Sequence, residues 1–247
     1  MTFGMPSLVG FDTIQENVDF AKENGLEFVE LNMDLPYSQN MDDLDSYNFK
    51  FTMHVSEEIN VADLNENLRE AYLNEAIRQI MLGVKNHIDR YTIHIDSGVY
   101  FTLPDGKFFL NEKYSDIYKD HFDKSCEVLE KIAEENNIMI NFENTKIQGF
   151  TPLAVEVIKK YPHLGFTLDL GHNAKNGDKA YPLFYPTGKI RHIHMHDTDG
   201  KSDHLAIGSG NIDFSKYKDL LENNYVVIEV KVKEELLQSI ETIKKEF

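Results

Sequence analysis

The sequence has a single cysteine, few basic residues and no long apolar run. Because Cys126 is the one cysteine in 247 residues, no internal disulfide can form. No stretch approaches the ~20 apolar residues that a membrane-spanning helix needs, and the segment MTFGMPSLVG lacks the basic and apolar regions of a signal peptide. We therefore expect a cytoplasmic protein with no membrane partner, in which Cys126 is a small core side chain.

Basic residues are outnumbered by acidic ones. The chain has 25 Lys and Arg against 42 Asp and Glu, which gives a formal net charge of −17 at pH 7. A chain of this charge repels phosphate backbones unless a local basic patch reverses the field. Nucleic acid is therefore a disfavoured partner, and a small molecule is favoured.

Apolar, β-rich runs alternate with helical patterns along the whole chain, which is typical of a parallel sheet built from βα units. The length is close to the ~250 residues of one (β/α)8 barrel, and 41% of the residues are hydrophobic. The sequence predicts an α/β protein in which residues 1–247 form a single TIM barrel domain. The predicted strands are Thr2–Pro6, Phe28–Asn32, Lys50–His54, Tyr91–Ile95, Met139–Glu143, Gly165–Asp169, Arg191–His196 and Val226–Val230.

Two connecting segments carry more detailed expectations. Residues Asn65–His87 have apolar residues at three- to four-residue spacing, which predicts a helix with one buried stripe. The stripe consists of Leu68, Tyr72, Ile77, Ile80, Met81 and Val84. Residues Asn173–Lys189 contain two glycines and two prolines, which predict an irregular loop over the barrel mouth.

Acidic and imidazole side chains end six of the predicted strands. They are His54, His94, Glu143, Asp169, His194 and Glu229. The carboxyl ends of barrel strands converge on one rim, so these side chains are expected in one pocket. Carboxylates among apolar residues are costly unless a cation compensates them, and oxygen plus imidazole ligands suit Mn²⁺, Mg²⁺, Co²⁺ or Zn²⁺. The predicted metal ligands are Glu143, Asp169, His194 and Glu229. His192 and His196 point to the same face of their strand as His194, but only one of the three needs to lie at the height of the metal.

Four of these strand endings resemble those of the xylose isomerase-like TIM barrel superfamily, which includes the sugar phosphate isomerase/epimerase family and is related to endonuclease IV. The matching segments are Ile-Asn-Phe-Glu143-Asn, Thr-Leu-Asp169-Leu-Gly-His172, His194-Met-His-Asp197 and Val-Ile-Glu229-Val. The turn Gly208-Ser-Gly-Asn-Ile-Asp-Phe214 resembles the superfamily's Gly-x-Gly turn. The order and spacing of these segments together make the resemblance specific.

The resemblance implies a metal-dependent sugar or sugar-phosphate isomerase or epimerase that uses Mn²⁺, Mg²⁺ or Co²⁺. In that family Glu143 and Glu229 would be both metal ligands and the opposed catalytic acid and base, transferring a proton through a metal-bound cis-enediolate. His172 and Asp197 would contact substrate hydroxyls or support the ligands. An inosose dehydratase, a hydroxy-keto acid isomerase and a binding protein without turnover stay open as alternatives.

The endonuclease IV branch implies a different enzyme, a zinc-dependent abasic-site endonuclease or phosphodiesterase. His54 and His94 resemble ligands of a further zinc in that branch, and His172 and His204 resemble ligands of a third. Ser202 stands where an aspartate is expected for the third zinc, although Asp203 is adjacent. The acidic charge favours the small substrate over DNA. The sequence leaves a homo-oligomer open.

Overall fold

A computed structural model of the protein describes residues 1–246 and contains a closed barrel of parallel strands. Position 247, the last of the predicted domain, lies outside the described residues. The eight barrel strands are β1 (Thr2–Pro6), β2 (Phe28–Asn32), β3 (Lys50–His54), β4 (Arg90–Ile95), β7 (Met139–Asn144), β8 (Leu164–Asp169), β9 (Ile190–Met195) and β10 (Tyr225–Ile228). Two more strands, β5 (Tyr100–Leu103) and β6 (Gly106–Phe109), pair as a separate antiparallel hairpin. The predicted TIM barrel is therefore confirmed.

The barrel closes between the first and last strands. Around the ring the order is β1, β10, β9, β8, β7, β4, β3 and β2, and β1 pairs in parallel with both β10 and β2. Strands of such a barrel are covered on both faces, which explains why they read as apolar runs. All six residues of β8, for example, are buried. Charged or imidazole side chains inside these strands are thus forced into the interior or onto the rim.

Helices lie between the strands. They are α1 (Ile14–Glu23), α2 (Pro36–Gln39), α3 (Glu66–Lys85), α4 (Leu110–Lys113), α5 (Ser115–Asn136), α6 (Thr151–Ile158), α7 (Leu170–Lys175), α8 (Ala180–Phe184), α9 (Lys218–Asn223) and α10 (Lys233–Glu246). Short 3₁₀ turns occupy Leu44–Tyr47, Tyr185–Thr187 and Phe214–Tyr217. None of the helices within residues 1–246 is long and apolar enough to cross a membrane.

The expected bounds of three strands coincide with the structure, and the others differ at their ends. β1, β2 and β3 have the predicted limits. Two predictions at the site were wrong by position: β9 ends at Met195 and β10 at Ile228, so His196 and Glu229 follow their strands instead of ending them. The Glu229 amide still donates to the Met195 carbonyl at 2.9 Å. Glu229 is therefore held at the rim of the barrel, although it lies one residue beyond the end of β10.

The buried stripe of α3 was predicted correctly in part: Ile80 is buried and Tyr72, Ile77 and Val84 pack against the core. Leu68 and Met81 are exposed, whereas Arg69 and Gln79 are buried. Hydrogen bonds explain why polar residues can take the inner face: Arg69 donates to Ser125 Oγ at 3.0 Å, and Gln79 donates to Ser56 Oγ at 3.0 Å. The hydrophobic pattern alone therefore misplaced part of the inner face of this helix.

Residues 173–189 are more regular than expected. In place of an irregular loop, this segment holds the end of α7, the helix α8 and a 3₁₀ turn. Asn173 organises it, since its side-chain oxygen accepts the amides of Ala180 and Tyr181 at 2.9 and 3.0 Å. The buried Asn173 side chain thus caps the first amides of α8, so a helix forms although the glycines and prolines of this segment predicted a loop.

Cys126 lies in the apolar face of α5 with Phe122, Leu129 and Ala133, and all four are buried. Burial raises the pKa of the Cys126 thiol well above its usual range. The expectation of a core side chain is therefore met.

Candidate metal centre and active site

Four side chains from neighbouring strands meet at the carboxyl end of the barrel. Strand register places two of them level, because Asp169 is paired with His194 across β8 and β9. One ligand atom from each side chain lies within 4.8 Å of the others, and all four residues are buried. We call this set the rim cluster; its members are Glu143, Asp169, His194 and Glu229.

The rim cluster has the chemistry of a cation site. His194 Nδ1 lies 3.2 Å from Glu143 Oε2 and 3.2 Å from Glu229 Oε2. Among the described residues, the buried atoms Asp169 Oδ2, His194 Nδ1 and Glu229 Oε2 have no hydrogen-bond partner. Buried polar atoms are costly when unpaired, and three carboxylates with one imidazole suit a divalent first-row metal or Mg²⁺. The residues present therefore fit the metal that the family implies.

The charges of the rim cluster depend on one another. Burial raises the pKa of Glu143 and of Glu229, but the charge of the facing His194 outweighs it and holds both well below the usual range. Burial conversely lowers the pKa of His194, while the three carboxylates Glu143, Glu30 and Glu229 raise it well above its usual range. In the metal-free chain His194 therefore supplies the positive charge that a cation would replace.

Two histidines flank the rim cluster on the side of β3 and β4. His54 Nε2 lies 3.2 Å and His94 Nε2 lies 3.7 Å from the same atom, Glu143 Oε2. Burial lowers the pKa of His54, but its hydrogen bond to Glu143 and that carboxylate's charge raise it to about 9. Burial lowers the pKa of His94. The structure thus joins both sequence-predicted histidines to the rim cluster through Glu143.

A further group lies on the opposite side. It consists of His172, His196, Asp203 and His204, whose ligand atoms lie within 4.8 Å of one another. His196 connects it to the rim cluster, with Nε2 3.1 Å from Asp169 Oδ1 and Nδ1 3.5 Å from Asp203 Oδ1. His172 and His204 were expected here from the sequence. His196 had been noted only for its parity with His194, and Asp203 only as the neighbour of Ser202. We call this set the outer group.

Asp197 lies outside these groups, although the sequence offered it as a metal or substrate residue. Its Oδ1 accepts the backbone amides of Thr198 and Ile212 at 2.9 and 3.2 Å. Its Oδ2 accepts those of Gly208 and Gly210 at 3.1 and 2.9 Å. Four amides occupy both oxygens, so this carboxylate anchors the turn at 208–212 instead of presenting itself to a ligand.

Sequence reasoning missed Glu30 and His192. Glu30 is buried on β2, with Oε1 3.0 Å from His192 Nε2 and Oε2 2.9 Å from His194 Nε2. A signal was available, because a single glutamate interrupts the apolar run Phe28-Val-Glu-Leu31 in a strand whose two faces are both covered. His192 was noted as sharing the parity of His194, but no partner for it could be named.

A cavity of about 290 Å³ opens beside the rim cluster. Five carboxylate residues line it together with two basic residues, Lys231 and His54; the acids are Glu30, Asp34, Glu57, Glu58 and Glu229. Lys231 Nζ lies 3.6 Å from both Glu57 Oε1 and Glu229 Oε1. The cavity is therefore strongly acidic, and both of its basic side chains already face carboxylates, Lys231 those of Glu57 and Glu229 and His54 that of Glu143.

Residues 18–246 match the family model of the xylose isomerase-like TIM barrel. The chain belongs to this family. One relative, an uncharacterised protein of Methanocaldococcus jannaschii, is 29% identical over 237 residues, which cover 92% of this chain and 90% of that protein.

Solved structures of sugar epimerases have the same fold. A D-tagatose 3-epimerase-like protein superposes with a TM-score of 0.78 and 25% identity, over 99% of this chain and 96% of its own. The 3-keto-D-glucoside 4-epimerase of E. coli gives a TM-score of 0.76 and 16% identity, over 99% and 98% of the two chains. At that identity the second likeness concerns the fold alone.

Proposed function

We propose that this family member is a divalent-metal-dependent isomerase or epimerase of a small sugar, with Glu143, Asp169, His194 and Glu229 as the metal ligands. The observation that carries the proposal is the pair of buried carboxylates, Glu143 and Glu229, that face the same nitrogen of His194 at 3.2 Å. The epimerase-like protein of similar structure supports the same class of reaction.

The two carboxylates are suited to moving one proton at a sugar carbon. A C–H bond next to a carbonyl breaks when Glu143 or Glu229 accepts the proton, and the electron pair passes into a cis-enediolate. For isomerisation the same residue, now a carboxylic acid, returns the proton to the neighbouring carbon. For epimerisation the other residue must enter the step as a carboxylic acid, and it donates its own proton to the opposite face. When bound, the metal would polarise the carbonyl and stabilise the negative charge that develops on its oxygen. Both carboxylates are buried, so few water molecules can reach them.

The acidic cavity favours an uncharged sugar over a sugar phosphate. A phosphate would meet carboxylates on most sides, and Lys231 is already shared by Glu57 and Glu229. Hydroxyl groups, by contrast, can donate to these carboxylates without charge repulsion.

Exchange of a substrate C–H with solvent deuterium tests this proposal. The metal-loaded full chain is incubated in D₂O with free ketohexoses, including D-tagatose, and separately with ketohexose phosphates. We expect exchange with a free ketose, and its loss in both Glu143→Gln and Glu229→Gln. Glu27→Gln, at an exposed position before β2, should exchange as the wild type does. Exchange that persists in both cluster variants would mean that these carboxylates are not the acid and base.

The flanking histidines favour a second candidate, a zinc-dependent phosphodiesterase of the endonuclease IV kind. His54 and His94 contact Glu143 on one side, and the outer group contacts Asp169 on the other, so the ligand count is sufficient for more than one metal. The acidic cavity argues against a polyanionic substrate. If the chain bound three zincs and nicked abasic duplex DNA, the phosphodiesterase would be the better proposal and the isomerase would be abandoned.

A further inference from the structure

Glu30 is a fully buried carboxylate below the proposed metal ligands, and the proton transfer described above does not use it. Its relative exposure is 2%, and its strand neighbours Val29 and Leu31 are completely buried. Replacing a buried ionic group by an apolar side chain of similar volume is often neutral or stabilising. A carboxylate at this place in the barrel is therefore poorly explained by stability alone.

The two oxygens of Glu30 have separate partners. Oε2 lies 2.9 Å from His194 Nε2. Oε1 lies 3.0 Å from His192 Nε2 and accepts the Thr52 hydroxyl at 3.3 Å. The contacts at Oε1 hold the carboxylate from one side, which leaves Oε2 directed at a single group, the imidazole of His194.

His194 consequently has carboxylates at both ring nitrogens. Nε2 faces Glu30, while Nδ1 faces Glu143 and Glu229 at 3.2 Å each. A neutral imidazole has one N–H and one lone pair, and the group that faces one nitrogen decides which nitrogen carries the proton. Nδ1 faces the other proposed ligands, so in the metal-bound form its lone pair is used there and the one N–H of the neutral ring lies on Nε2, where the carboxylate of Glu30 faces it.

We propose that Glu30 is a positioning residue for the metal centre: it holds the His194 proton on Nε2 and thereby makes Nδ1 the ligand atom. This inference rests on the proposed metal-dependent function. Outer carboxylates of this kind orient ligating histidines and raise their basicity, and their loss typically lowers metal affinity by about 10- to 100-fold. Thr52 and His192 keep the Glu30 carboxylate from turning away.

The test is the Mn²⁺ affinity of the full chain, measured by electron paramagnetic resonance for wild type, Glu30→Met, Glu30→Gln and Thr52→Val. Glu30→Met removes the carboxylate that faces His194 Nε2, and we expect its affinity to fall by about 10- to 100-fold. Glu30→Gln keeps a weaker acceptor, so its affinity should be intermediate. Thr52→Val removes one of the two contacts that hold the other oxygen, while the contacts with His192 and His194 remain, so its affinity should fall less than that of Glu30→Gln.

The thermal midpoint of the chelator-treated chains separates positioning from folding. Positioning predicts that affinity follows the order wild type, Gln, Met, whatever the order of the midpoints. If Glu30→Met does not fold, the fall in affinity of Glu30→Gln decides. Equal affinity of the folded Glu30 variants and the wild type overturns the inference alone. A wild-type chain that binds no Mn²⁺ overturns both the inference and the proposed function.

Discussion

The Asp197 carboxylate accepts four backbone amides, so its replacement by asparagine should destabilise the chain strongly. An asparagine side chain has one oxygen and one NH₂ group. Its NH₂ would face either the amides of Thr198 and Ile212 or those of Gly208 and Gly210, all of which are donors. Two N–H groups, at least one of them only partly buried, then lose their acceptor at roughly 1 to 3 kcal/mol each, and the remaining two lose a charged partner. We expect a loss of about 4 kcal/mol in the free energy of unfolding.

Urea denaturation of the chelator-treated chain measures this loss. Asp199→Asn is the matched control: Asp199 is exposed and accepts the amides of Lys201 and Ser202 in an open loop. Asparagine can accept the same two amides there, so the control should unfold as the wild type does. An Asp197→Asn chain within about 1 kcal/mol of the wild type would refute the anchoring role, because even one unsatisfied amide costs that much.

Three further predictions concern titration, packing and reactivity. The pKa of His54 in the folded chain, about 9, lies above its ordinary value of 6.5. The protonated imidazole therefore stabilises the metal-free chain fully below pH 6.5, and this stabilisation is lost as the pH rises through 9. Urea unfolding in chelator should show a decline of up to about 3 kcal/mol from this group between pH 6 and 10, and His54→Gln should show a shallower decline; equal declines would contradict the assignment. A Cβ on Gly171 would overlap the His196 ring, so Gly171→Ala should lower the unfolding free energy by about 1 to 3 kcal/mol, and an unchanged value would mean that the ring moves freely. Cys126 should resist a thiol reagent in the folded chain and react once urea unfolds it, whereas rapid labelling of the native protein would show that the thiol is accessible.

The sequence was sufficient to predict the barrel and to bring four residues of the rim cluster together. Each barrel strand is a short apolar run, and a polar residue at the end of such a run must lie at the rim, where strands from distant parts of the chain converge. Glu143, Asp169 and His194 could therefore be placed without any contact being known. The exposed hairpin of β5 and β6 has no such constraint, and it was not foreseen.

Residues whose environment depends on distant partners were harder to predict. Arg69 and Gln79 face inward on α3 because Ser125 and Ser56 meet them there, and no local pattern contains those contacts. Asp197 was taken for a substrate or metal residue because it follows a ligand strand, but the amides that bind it come mostly from a turn 11 to 15 positions later. Glu30 was overlooked because its partners, His192 and His194, are 162 and 164 positions away.

Whether Glu143, Asp169, His194 and Glu229 hold a divalent metal is tested most directly by counting the Mn²⁺ ions that the full chain binds at equilibrium, in the wild type and in Asp169→Asn. Within residues 1–246 Asp169 Oδ2 is buried without a hydrogen-bond partner, so the substitution puts an amide where a ligand oxygen is proposed. The predicted result is one tightly bound Mn²⁺ per wild-type chain and its loss, or at least a roughly tenfold weaker affinity, in Asp169→Asn. A wild-type chain that binds no divalent ion, or an Asp169→Asn chain that binds as tightly as the wild type, would contradict the metal centre.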